Sequence, residues 1–225
     1  MTVKVYDRLY DVEKIGHKSS DISNAKKNNV ILEGRYYKMG LKEENFDSVL
    51  AEKIENAVEK AVLKLFEEHK ENFYYCSLIT SGEAERPILS AWSWEALDRI
   101  SENDEDKEDL KWYYADSPYC MFGEEFLSEL DEVFQKRPCV ADIDDDIEYD
   151  KEISIRINSM EKALSNLDKK GLFGTGEDRK KIVINAEFMP PDYSNTERAI
   201  RLNPKDALVS WLEEAAEEDE EEEDY

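Results

Sequence analysis

Phe73-Tyr74-Tyr75-Cys76-Ser77-Leu78-Ile79-Thr80 decides the fold. It is rich in aromatic and β-branched residues and reads as a strand. Ser81-Gly82 breaks it, and a second run from Pro87 to Trp92 follows, so the pair reads as a hairpin. Immediately upstream, Phe46, Leu50, Ile54, Val58, Val62 and Phe66 recur every fourth residue. Ala57, Ala61 and Leu65 widen that stripe, which predicts an amphipathic helix from about Asp47 to His69. Asn45 or Asp47 can cap its start. Far downstream, Lys181 to Met189 reads as another strand, closed by Pro190-Pro191. A long helix beside three β-rich runs predicts a single α+β domain, with a mostly antiparallel sheet packed against amphipathic helices.

Between these landmarks, Ser93 can cap a short helix from Trp94 to Ile100, and residues 101–109 read as an exposed acidic loop. Leu110 to Tyr114 suggests a further strand. A helix is expected from about Gly123 to Gln135, ended by Arg137-Pro138. Residues 141–150 read as a second acidic loop, before a helix over about 153–167 using Ile157, Met160, Ala163, Leu164 and Leu167. The glycines at 171, 174 and 176 stop that helix. Helices over about 196–201 and 206–216 complete the chain, the last facing Leu208, Trp211 and Leu212 inward. The expected organisation is an N-terminal extension at 1–38, a core at 39–212 and an acidic tail at 213–225. No internal repeat is visible.

With 225 residues, the chain can bury roughly 70 % of its unfolded surface. Its apolar share of 40 % and aromatic share of 11 % argue against global disorder. The net charge is −25, from 55 acids against 30 bases. Residues 1–38 hold eight bases and five acids, hence +3, which leaves −28 for the remainder. Such acidity disfavours nucleic acid and anionic membranes, whose phosphates would repel the chain. It favours solubility and attraction to a basic partner. The first 20 residues are studded with charge and lack the apolar run of a secretory signal, and nothing approaches the ~20 apolar residues of a membrane span. Three cysteines without CxxC spacing read as reduced thiols, so a cytoplasmic protein is expected.

The motifs that invite chemistry fail on inspection. Asp142-x-Asp144-x-Asp146 opens like a calcium loop, but the sixth and twelfth positions are Ile147 and Ile153 rather than Gly and Glu. The series from Asp104 fails likewise, with Asp109 and Ala115 at those positions. Gly171, Gly174 and Gly176 follow a helix and precede a strand, the reverse of a phosphate-binding order. Two histidines, His17 and His69, have no evident partner for a triad or a zinc site. No metal, cofactor or catalytic residue is therefore assigned. The aromatic group Trp92, Trp94, Trp112, Tyr113 and Tyr114 serves either the core or a partner interface.

The stretches Ala91-Trp92-Ser93 and Lys111-Trp112-Tyr113-Tyr114-Ala115-Asp116-Ser117-Pro118-Tyr119, with the strand at 73–80, resemble the bacterial family catalogued as domain of unknown function 4303. The resemblance covers about residues 45–180. Members of that family lie near polymorphic toxins, which implies that some are immunity proteins; no catalytic residues come with it. The expected function is therefore non-catalytic neutralisation of a basic, nuclease-like toxin. The expected contacts are Trp92, Trp94, Asp104, Glu105, Asp106, Trp112, Asp116, Asp144 and Asp145. An enzyme using clustered carboxylates, or a housekeeping scaffold, are the competing readings.

Overall fold

Helix α1 (Ser48–Glu68) begins where the sequence places it, because Asp47 accepts hydrogen bonds from the Val49 and Leu50 amides. Its buried stripe contains Leu50, Ile54, Val58, Val62 and Leu65, with Ala57 and Ala61 between them. The computed structural model describes residues 45–218. The extension at 1–38 and the end of the acidic tail lie outside the described residues.

Strand β1 (Phe73–Ser81) turns back into β2 (Ile88–Ser93), with Cys76 opposite Ala91 and Leu78 opposite Leu89. β3 (Val183–Met189) lies on the other side of β1, so the sheet order is β2-β1-β3. The strands expected near 73–80, 87–92 and 181–189 all appear, but the sheet is mixed rather than mostly antiparallel. β3 runs parallel to β1, with Tyr75 beside Val183 and Ile79 beside Glu187. The cause is the connection. A tight turn can join only antiparallel neighbours, whereas the roughly hundred-residue helical passage between β1 and β3 brings the chain back to the same end of the sheet.

Ser93 caps α2 (Trp94–Ile100) through the Ala96 amide. The expected acidic loop at 101–109 is instead largely helical, forming α3 (Asp104–Leu110). Asn103 accepts from the Asp106 amide, and the Asp106 carboxylate accepts in turn from the Glu102 amide. This reciprocal cap, with acids at the positive helix end, supplies what the absent apolar periodicity does not. The strand expected at 110–114 is the end of α3 and a 3-10 turn at Tyr114–Asp116. The helix expected at 123–135 is broken into α4 (Glu124–Leu127), a 3-10 turn and α5 (Asp131–Gln135). Gly123 is held at φ +73, and a Cβ there would lie 2.5 Å from the Ala61 Cβ, so glycine lets α4 start directly against α1.

Helix α6 (Asp146–Lys169) starts earlier than its apolar stripe, absorbing much of the second acidic stretch. Asp145 caps it by accepting from the Glu148 amide. Its buried Ile157, Met160, Ala163, Leu164 and Leu167 join α1 and the sheet in one core. The glycine turn then stops it, with Gly171 at φ +82 and Gly174 at φ +97. After β3 come α7 (Tyr193–Leu202) and α8 (Lys205–Glu214), the latter burying Leu208, Trp211 and Leu212 as expected. Glu217 is tied back to α7, its carbonyl accepting from the Thr196 hydroxyl.

Side chains cap the β3 edge of the sheet, and β2 is tied to the segment that covers it. Along β3, Asn203 bonds the amide and carbonyl of Ile184, and Asn195 those of Phe188. Between them, Arg198 donates to the Ala186 carbonyl while Asn185 accepts from the Ala186 amide. These groups take the place of a fourth strand and leave no open ladder for edge-to-edge pairing. At β2, Ser90 and Trp92 donate to the carbonyls of Tyr114 and Tyr113, and Ser117 donates to the Ala91 carbonyl.

Candidate partner-binding site

The first turn of α2, the acidic face of α3 and the end of α8 border an open cleft of about 710 Å³. Trp94 and Leu97 give it an apolar wall. Asp104, Lys107, Glu108 and Lys111 recur at three- and four-residue spacing, so one stripe of α3 and its end faces the space. Asp109 and Glu214 complete the lining.

The two lysines are engaged. Lys107 pairs with Asp98 outside the cleft. Lys111 sits 2.7 Å from Glu214 and lies 5.5 Å from the Trp94 ring centre and 5.2 Å from that of Trp112. Glu214 also accepts from the Trp112 indole N–H at 2.7 Å. Trp94 stacks on Tyr74 with centres 4.2 Å apart, and 43 % of its surface remains exposed. By contrast, no ion pair engages Asp104, Glu108 or Asp109 among the described residues.

The expected contact residues therefore divide. Trp94 and Asp104 line the cleft, and Trp112 fixes its Glu214. Glu105 is exposed on α3 but is not part of the lining, and Asp106 is occupied with the α3 cap. Asp116 is exposed in the 3-10 turn, away from the lining. Asp144 and Asp145 lie at the start of α6, where Asp145 is the cap. Trp92 is a correction: it is wholly buried on β2 with its N–H bonded to the Tyr113 carbonyl, so it presents no surface to a partner. The expected contact residues did not include Leu97, Lys107, Glu108, Asp109, Lys111 or Glu214. Lys111 and Glu214 stand 103 positions apart, and no local signal joins them.

A second polar group lies inside the protein. The Glu187 carboxyl accepts from the Tyr75 and Ser77 hydroxyls, each at 2.8 Å. Burial pushes its pKa above the ordinary carboxylate value, despite those hydrogen bonds and the charge of Arg198. Burial also pushes the Cys76 thiol up to about 12, which suits an inert core cysteine. Near α6, burial acts to raise the Glu152 carboxyl, but hydrogen bonds from Arg137 and Arg156 outweigh it and hold the pKa low. Arg137 also bonds Asp47, so one guanidinium ties the α1 cap to α6.

Among the described residues no cluster of His, Cys, Asp and Glu has the geometry to hold a metal ion, and no helix is long and apolar enough to cross a membrane. The molecule is thus an α+β domain with a small mixed sheet and an acidic, indole-walled cleft. Its sequence matches the family model described as domain of unknown function (DUF4303) over residues 54–204, and the chain belongs to that family. No curated protein and no solved structure matches it.

Proposed function

We propose that this protein is a non-catalytic interaction protein that neutralises a basic protein in the cytoplasm, and that the partner is a nuclease-like bacterial toxin. The observation that carries the reading is the cleft: Asp104, Glu108 and Asp109, free of ion pairs among the described residues, stand beside the exposed Trp94 indole in a chain of net charge −25. A nuclease holds phosphates with basic residues, so an acidic surface that fills its cleft excludes substrate without chemistry. Complementary charge also accelerates capture.

The test is co-expression with a toxin encoded beside the gene, scored by survival and by pull-down at two salt concentrations. The proposal predicts rescue, together with retention that weakens as salt rises. Absence of any retained basic protein at low salt, with no rescue, would overturn it.

A further inference from the structure

We infer that the cleft between α2, α3 and the end of α8 receives an arginine-bearing segment of its basic partner, an inference that rests on the proposed function and gives it a place and a chemistry. Three independent features converge there. The first is the charge left over: the lysines of the cleft are each matched to a carboxylate, Lys107 to Asp98 and Lys111 to Glu214, while Asp104, Glu108 and Asp109 pair with no cation among the described residues. The second is that the site already holds a cation. The Lys111 ammonium lies 5.5 Å and 5.2 Å from the centres of two indoles, so the aromatic wall stabilises positive charge in the folded chain itself. The third is room, since the open cleft of about 710 Å³ has space for a long side chain and its neighbours rather than a single ion.

Arginine fits these features better than lysine. Its planar guanidinium can lie on the exposed part of Trp94 and still donate two parallel hydrogen bonds to a carboxylate. Asp104 and Glu108, one turn apart on α3, offer acceptors on the same face. A lysine ammonium is a point charge that would gain the attraction but not the stacking and the fork. The other acidic stretch, at the start of α6, has carboxylates but no place in this cavity, so it attracts a basic chain without seating one.

The test uses a labelled hexaarginine peptide, with hexalysine for comparison, titrated by fluorescence anisotropy against the full chain at low and physiological salt. Two triple variants remove the same charge from different places: D104N/E108Q/D109N in the cleft, and D142N/D144N/D150N at the start of α6. The expected result is hexaarginine binding several-fold tighter than hexalysine, at least a tenfold loss in the cleft triple, and less than a threefold loss in the α6 triple. Trp94→Ala should also lose most of the preference for arginine while circular dichroism shows the fold intact. If Trp94→Ala fails to fold, the charge-matched triples, all at exposed positions, still decide the matter. Equal losses in the two triples, or equal affinity for the two peptides, would overturn the cleft assignment and leave the general acidic reading standing. No binding of either peptide to the unaltered chain at low salt would overturn both.

Discussion

Residues 104–109 hold five acids in six positions, and residues 142–150 hold six in nine. Both stretches become helix starts, where the positive end of the helix dipole favours carboxylates. Their neighbours differ. α6 carries a buried apolar stripe, and Asp145 serves it as a cap, close in sequence to the Arg137–Glu152 pair that binds α6 to α1. α3 fully buries no side chain, and only Leu110 at its end packs partly against the core. Its acids lie instead along a concave surface with an exposed indole and an internally held lysine. On the proposed reading, density of negative charge alone does not mark the binding site, and what stands opposite the charge decides.

Substitutions can separate a stretch that supports the fold from one that faces a cleft. The largest stability effect should come from Arg137→Ala. It leaves Glu152 with one guanidinium instead of two and cuts the link to Asp47, at a cost of about 3 kcal/mol at neutral pH, read from denaturant unfolding. Both carboxyls have lowered pKa values in the folded state. For Asp47 the Leu50 amide hydrogen bond is the main cause, against desolvation, with Arg137 assisting. Their contribution is therefore present above the ordinary carboxylate pKa and is lost as pH falls through the lowered value. The Arg137→Ala deficit should accordingly shrink in acid.

A smaller effect of opposite pH sign is expected at Glu187→Gln. The raised pKa of Glu187 means that the unaltered protein loses stability as pH climbs from the ordinary carboxylate value through the raised one. Glutamine keeps an acceptor for Tyr75 and Ser77 but cannot ionise. The variant should gain on the parent as the pH rises above the ordinary carboxylate value, measured by the urea midpoint; a difference that does not change with pH would contradict a raised Glu187 pKa. Next, Asp145→Ala should cost about 1 kcal/mol through the lost cap. The smallest effect belongs to Asp109→Ala, exposed in the cleft and without an ion pair among the described residues, which should stay within about 0.5 kcal/mol. If Asp109→Ala destabilised as much as Asp145→Ala, the two stretches would not differ as described.

Much of the fold was legible because its signals are local. The four-residue stripe of α1, the β-rich run at 73–80 and the Ser93 cap each specify their element within a few residues. The direction of β3 was not, since parallel pairing depends on the route of a long connection rather than on the strand itself. α3 was hidden because it has no buried face to impose a period. Trp92 and Trp94 show the limit for the site. They stand two positions apart, yet the chain passes from strand to helix between them, so one enters the core and the other keeps 43 % of its surface exposed. The place of Glu214 beside Trp112 depends on tertiary packing alone.

Hydrogen exchange of the full chain, with and without saturating hexaarginine at physiological salt, tests most directly whether position rather than charge density makes the site. The account predicts slowed exchange in α2, α3 and the end of α8, with amides over 142–150 unchanged. Slowed exchange over 142–150 to the same degree, or a uniform small change across the acidic surface, would contradict it.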